Sequence, residues 1–110
     1  MRRRFFLFAL ALLIAAPAAA HAGAPDHYTL VLKDGTFSPP ALTLPANAKI
    51  KLIVKNETAV PAEFESSDLD REQVVAAHDF ITVYLGPLDP GVYNYFNDFN
   101  RKMTGKITVK

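Results

Sequence analysis

The sequence predicts an all-β domain, a Greek-key sandwich or barrel of about seven short strands with one short helical or irregular crossover. Apolar residues recur at every second position in one short run after another, which is the spacing of a strand with one buried face. Gly and Pro separate those runs at the points where tight turns are needed. The 110-residue chain carries no internal repeat, so those strands have one small core to share.

The chain opens on a different kind of segment. Arg2, Arg3 and Arg4 precede an apolar run from Phe5 to Ala16, and Pro17 breaks it before Ala18, Ala19 and Ala20. Charged, apolar and small-residue regions in that order make a secretory signal, and about twelve apolar residues are too few to span a bilayer. The expected division is a leader over 1–22, cleaved after Ala20 or after Ala22, and a single domain over 23–110 in the periplasm. Without the leader the domain has nine basic residues against eleven acidic ones, a net charge near −2, which offers no basic surface for nucleic acid. The chain has no cysteine, so no disulfide supports the core and no lipid can be attached through a thiol.

In chain order, Tyr28, Leu30 and Leu32 alternate with polar residues and end at Asp34-Gly35. Leu42 and Leu44 follow the Pro39-Pro40 bend, and Ile50, Leu52 and Val54 alternate with Lys49, Lys51, Ile53 and Lys55. Ser67 to Ala77 interrupts the alternation and is the expected helical or irregular crossover. Ile81, Val83 and Leu85, then Tyr93 and Tyr95, then Ile107 and Val109 resume it between turns at Gly86-Pro87, Pro90-Gly91 and Gly105. Tyr93 stands just after the Leu88–Gly91 turn, where its hydroxyl can bond back to the preceding corner of a Greek key.

Three parts of the sequence carry the resemblance to a known family. TFSPPALTLPANAKIKLIVKNET resembles the opening of cupredoxin domains. PAEFESSDLDREQVV together with GPLDPGVYNYFNDF resembles, more narrowly, the cupredoxin-like proteins of bacterial iron uptake, of the FtrB and EfeO types. The segment from Leu88 to Lys110 has the order turn, aromatic strand, polar loop with one methionine, final strand, as in the metal-binding end of a cupredoxin. A type 1 copper centre needs a thiolate with two imidazoles and a weak axial thioether, so the absence of cysteine excludes it. Tyr95 or Phe96 holds the strand position expected for the thiolate, and Asp98 and Asn100 stand where imidazole is expected.

The resemblance implies a periplasmic metal-binding protein that handles iron, copper or both beside an iron permease. It implies contact with the membrane only through that partner, and a monomer or weak dimer. By the EfeO pattern the metal ligands are Glu63, Glu65, Glu72, Asp98 and Met103. Spacing adds to this for the first pair: residues two apart on a strand share a face, so with Phe64 inward Glu63 and Glu65 point outward together. Carboxylate oxygens suit iron, manganese or calcium better than cuprous copper. An ordinary solvated strand face is the alternative for the glutamates, and core filling for Met103.

His27 and His78 are expected in turn or surface positions, and His21 concerns the site only if cleavage follows Ala20. No nucleophile–base pair or phosphate loop is present. A copper-assisted ferroxidase role is the one enzymatic possibility. The competing function is a metal-free sandwich that docks to a partner through the face from Asn94 to Lys102.

Overall fold

The computed structural model describes residues 25–110, and the expected leader and its cleavage site lie outside them. Nine strands and no helix are found among the described residues: β1 (His27–Lys33), β2 (Thr36–Ser38), β3 (Ala41–Leu44), β4 (Ile50–Asn56), β5 (Ala62–Ser66), β6 (Arg71–Val75), β7 (Phe80–Leu85), β8 (Gly91–Asn97) and β9 (Asn100–Val109). They form two sheets, one in the order β2-β1-β4-β7 and the other β3-β9-β8-β5-β6. β1 with β4 and β3 with β9 pair in parallel, and the remaining neighbours are antiparallel.

The period-two alternation reappears as burial. Leu30, Leu32, Leu52, Val54, Val83 and Leu85 of the four-stranded sheet face Leu44, Phe64, Val75, Tyr95, Ile107 and Val109 of the five-stranded one. This is the two-layer sandwich in which each sheet buries one face against the other. The Tyr93 hydroxyl donates to the Asp89 carbonyl at 2.7 Å, which is the corner bond expected at that position.

The segment from Ser67 to Ala77 differs from expectation. A turn over 67–70, closed by Asp70 N donating to Ser67 O and carrying Asp70 at φ 55°, leads into strand β6, not into a helix or irregular crossover. Its inward positions are Arg71, Gln73 and Val75, so two of three are polar and the alternation is hidden. Such a strand is possible because β6 is an edge, where polar side chains reach solvent around the rim.

Two glycines are required by close approach. Gly86 has φ +88°, and a Cβ there would collide with the Ala48 carbonyl. A Cβ at Gly105 would overlap the hydroxyl and ring of Tyr95, its cross-strand partner. Tyr95 lies over that bare backbone and meets Phe37 edge-on at 5.0 Å and Phe64 at 5.2 Å. Its hydroxyl is buried without a partner, and burial pushes its ionisation well above the usual tyrosine range. Gly105→Ala should therefore cost about 2 kcal/mol through overpacking. Tyr95→Phe, which removes an unsatisfied buried hydroxyl, should gain about 1 kcal/mol. Urea unfolding of both variants checks the pair, and a stable Gly105→Ala protein would refute this packing.

Candidate metal centre

β5 alternates strictly between core and surface. Ala62, Phe64 and Ser66 are buried, while Glu63 and Glu65 face outward. β6 pairs antiparallel with β5 and sets Glu72 directly opposite Glu65. Glu63, Glu65 and Glu72 can each offer an oxygen such that all three lie within 4.8 Å of one another. Glu65 and Glu72 form a cross-strand pair of like charges, an arrangement that destabilises a sheet unless something neutralises it.

The surroundings sharpen that conflict. One carboxylate oxygen of Glu65, Oε1, is shielded from solvent and has no hydrogen-bond partner. Desolvation first, then the charge of Glu72, then a hydrogen bond with Asp98, raise the pKa of Glu63 above its ordinary 4.5. Asp98 is held there by the chain, its backbone N–H donating to the Glu63 carbonyl at 2.9 Å. Its carboxylate is ion-paired with Arg101, whose guanidinium lies 5.0 Å over the Phe96 ring. Phe96 in turn is the β8 neighbour of Glu65. Four carboxylates thus share one patch of the outer sheet face, and Glu72 is its open, exposed member.

Met103 is not part of that patch. The expected polar loop is a two-residue turn, Asp98-Phe99, because β9 already begins at Asn100. Met103 therefore lies within β9, only 5% exposed and packed in the core, on the opposite side of the sheet from the glutamates. Asn97 Nδ2 donates to its sulfur at 3.5 Å. The cavity beside it is lined by Leu32, Thr58, Val60, Asn97 and Phe99, among others, and by no histidine. His78 sits in the turn before β7 at φ 57° and His27 begins β1. With no thiolate in the chain and no imidazole near its thioether among the described residues, this end of the sandwich does not fit a type 1 copper ion. The donor set that fits a cation is the all-oxygen one on the outer face, and it fits a hard one.

Two buried asparagines position these pieces, and the sequence reading gave neither a role. Asn97 stands beside Met103. Its Oδ1 accepts from Glu63 N at 2.9 Å and Phe99 N at 3.1 Å, tying β5 to the hairpin that carries Asp98. Asn56, 1% exposed, donates to Val60 O and Val75 O and accepts from Thr58 N, so it fixes the loop entering β5 to the end of β6. The available signal was an asparagine closing a strand at 56 and again at 97, since a short amide can serve its own chain two residues on. Asn97→Ala should cost about 2 to 3 kcal/mol, because it strands buried partners. Thermal unfolding would show this, and a neutral result would overturn the positioning role.

The shift of Glu63 also has a sign for stability. With its pKa raised, the folded state holds the proton to higher pH than the unfolded chain does. Stability is then full below 4.5 and falls as pH rises through the raised value. Without added cation, Glu63→Gln should be more stable than wild type near neutral pH and lose that advantage below about pH 4. Urea midpoints measured across this range would show a pH-independent difference if the carboxylates were not in conflict.

Comparison with known proteins agrees with this architecture. The family model described as a cupredoxin-like domain matches residues 4–109. An uncharacterized protein of Rickettsia prowazekii (strain Madrid E) is 42% identical over 72 residues, which is 66% of this chain and 58% of that protein, so the chain spans just over half of that relative's length. Among solved structures, amicyanin from Paracoccus versutus matches with TM-score 0.63 and 18% identity over 81% of this chain and 87% of its own. The metal-binding domain of the Cu(I)-exporting P-type ATPase CopA of Streptococcus pneumoniae D39 matches with TM-score 0.70 and 10% identity, over 76% and 84%. A purple cupredoxin from Nitrosopumilus maritimus matches with TM-score 0.58 and 20% identity, over 74% and 98%. At these identities the structural matches speak for the fold alone, and together with the match along nearly all of its length they mean that this chain belongs to the cupredoxin-like domain family.

Proposed function

We propose that this protein is an exported iron-binding domain that works beside an iron permease in iron uptake. It holds the ion on the outer face of its five-stranded sheet through Glu63, Glu65 and Glu72, with Asp98 as a fourth oxygen donor. The observation that carries the reading is the convergence of three like-charged carboxylates within 4.8 Å, one of them with a shielded and unpartnered oxygen. A cation of charge two or three supplies neutralisation to Glu63, Glu65 and Glu72, none of which has an ion pair among the described residues. Oxygen donors alone favour a hard ion over cuprous copper. The resemblance of the Glu63-Phe64-Glu65 and Asp98 segments to iron-uptake relatives supports iron as that ion, and the permease as the neighbour. The Cu(I)-exporting ATPase domain shares the fold at only 10% identity, and the setting of Met103 does not fit type 1 copper.

Anaerobic titration of the purified protein with Fe(II), followed by calorimetry, should give one site per chain. Glu63→Gln with Glu65→Gln should weaken it roughly hundredfold, as expected when two charge-assisted contacts are lost. Met103→Leu should leave the affinity unchanged, since a near-isosteric swap in the core costs less than about 1.5 kcal/mol of stability. Absence of Fe(II) binding to wild type would sink the proposal. It would also favour metal-free docking through the face from Asn94 to Lys102, where Phe99 is 55% exposed at the hairpin tip.

A further inference from the structure

A second charged feature lies at the rim between the two sheets, and its sign is opposite. A cleft of about 440 Å³ is lined by Asp26, Lys49, Lys51, Arg71 and Tyr84, with Ile50, Leu85 and Gly86 below them. Arg71 reaches it from β6, the edge of one sheet, to the edge strand β7 of the other. Its Nε and Nη2 donate to the Tyr84 carbonyl at 3.3 and 2.8 Å, and its Nη1 donates to the carbonyls of Leu69 and Asp70 at 3.0 and 2.9 Å. Those four bonds fix the guanidinium in place but supply only neutral acceptors.

Arg71 thus makes no ion pair among the described residues, although on its other side it borders the pocket that holds Glu65, Asp70 and Glu72. The two ion pairs among the described residues are Asp26 with His27 and Asp98 with Arg101, so Arg71, Lys49 and Lys51 have no carboxylate within bonding distance. Asp26, the one acid of the cleft, has its pKa lowered first by the hydrogen bond from His27 and less by the charge of Lys51. Three cations thus face one carboxylate that is already engaged. Lys49 and Lys51 lie on the same side of the chain, and Lys51 is the cross-strand partner of Tyr84, whose ring makes an exposed wall above Ile50 and Leu85. With four of its five N–H groups engaged, Arg71 offers the cleft its fixed charge and one remaining Nη2 N–H, and the exposed ammonium groups of Lys49 and Lys51 supply the other donors for an anion such as phosphate. The apolar floor and the tyrosine ring suit a ligand that carries carbon beside that phosphate.

We propose that this rim cleft is a binding site for a phosphate-bearing anion, held by Arg71, Lys49 and Lys51 and covered on one side by Tyr84. The site is independent of the iron reading. Strand β6 serves both features, turning Arg71 to the rim and Glu72 to the outer face. Phosphate in this chemistry comes from two sources, a free phosphate compound or the headgroup of a phospholipid surface. A lipid source would bring the protein to the bilayer without the permease.

The test has two arms on the purified protein. In the first, inorganic phosphate is titrated while the backbone amide resonances of Lys51, Arg71 and Tyr84 are followed by NMR. In the second, co-sedimentation is measured with vesicles of phosphatidylcholine alone and with phosphatidylglycerol added, so that the neutral vesicles account for any apolar adhesion. Saturable shifts confined to the cleft support a free phosphate ligand. Retention specific to the anionic vesicles and competed by phosphate supports a headgroup. In whichever arm responds, Lys49→Gln with Lys51→Gln should weaken binding about tenfold or more, given the loss of two charge-assisted contacts, and Arg71→Gln should do the same. The lysine pair is exposed, so that variant stays informative even if the Arg71 variant fails to fold. No response in either arm, or equal weakening by Lys106→Gln on the other sheet, overturns the proposal.

Discussion

The packing of Tyr95 across Gly105 is the contact on which the rest of this sandwich depends. The ring occupies the space that a side chain at 105 would need, so the β8–β9 pair has one register in which it closes. Because Tyr95 also meets Phe37 of the first sheet and Phe64 of β5, that register is locked to both layers at once. A one-residue slip in a strand would turn every side chain to the other face. Phe96 would leave its place beside Glu65, and Asn97 would leave the interior where it holds Glu63 N and the Met103 sulfur. The geometry of the acidic patch is thus a consequence of how one aromatic ring is seated in the core.

The carboxylates sit where the fold can tolerate them at all. An unpaired charge moved inside the sandwich would lose its hydration with no compensation, and the cavity beside Met103 offers apolar walls, the amides of Asn97 and Asn100, the Thr58 hydroxyl and one exposed carboxylate, Asp34. On the outer face each carboxylate keeps part of its contact with water, Glu72 most of all. The remaining cost is partial desolvation and, after it, mutual repulsion, both of which raise the pKa of Glu63. Arg101 offsets the repulsion by an ion pair only at the Asp98 end of the patch, while at the β5–β6 end Arg71 borders Glu65 and Glu72 without pairing with either.

What was legible in the sequence was what period two encodes. The inward phases of Leu30, Leu52, Val83 and Ile107, the outward pairing of Glu63 and Glu65, and the corner bond of Tyr93 all follow from strand alternation and turn position. Glu72 joined the expected ligands through family resemblance, and only the β5–β6 register shows that it opposes Glu65. β6 itself was hidden because Arg71 and Gln73 occupy inward positions that an interior strand would fill with apolar residues. The shortness of the β8–β9 turn was equally hidden, since the run from 97 to 102, polar except for Phe99, reads as a loop. Asn97 was missed for the same reason: its role depends on contacts with residues 34 positions away and 6 positions away, and no local pattern reports them.

The relation between Met103 and the glutamates bears on how a metal-binding fold changes its metal. A thioether is soft and tolerates burial, whereas a carboxylate is hard and resists it. A site that uses both would have to sit where one sheet face meets the other, and here they are separated by the thickness of the sheet. In this chain the inner position has become structural, its sulfur accepting from Asn97, while the oxygen donors gather on the solvent side. With cysteine absent from the whole chain, the one anionic side chain lining the inner end among the described residues is the exposed Asp34. The outer face has anionic ligands in excess. Burial and charge therefore favour one location for a bound ion in this sandwich, on the surface of β5 and β6, and they favour an ion that prefers oxygen.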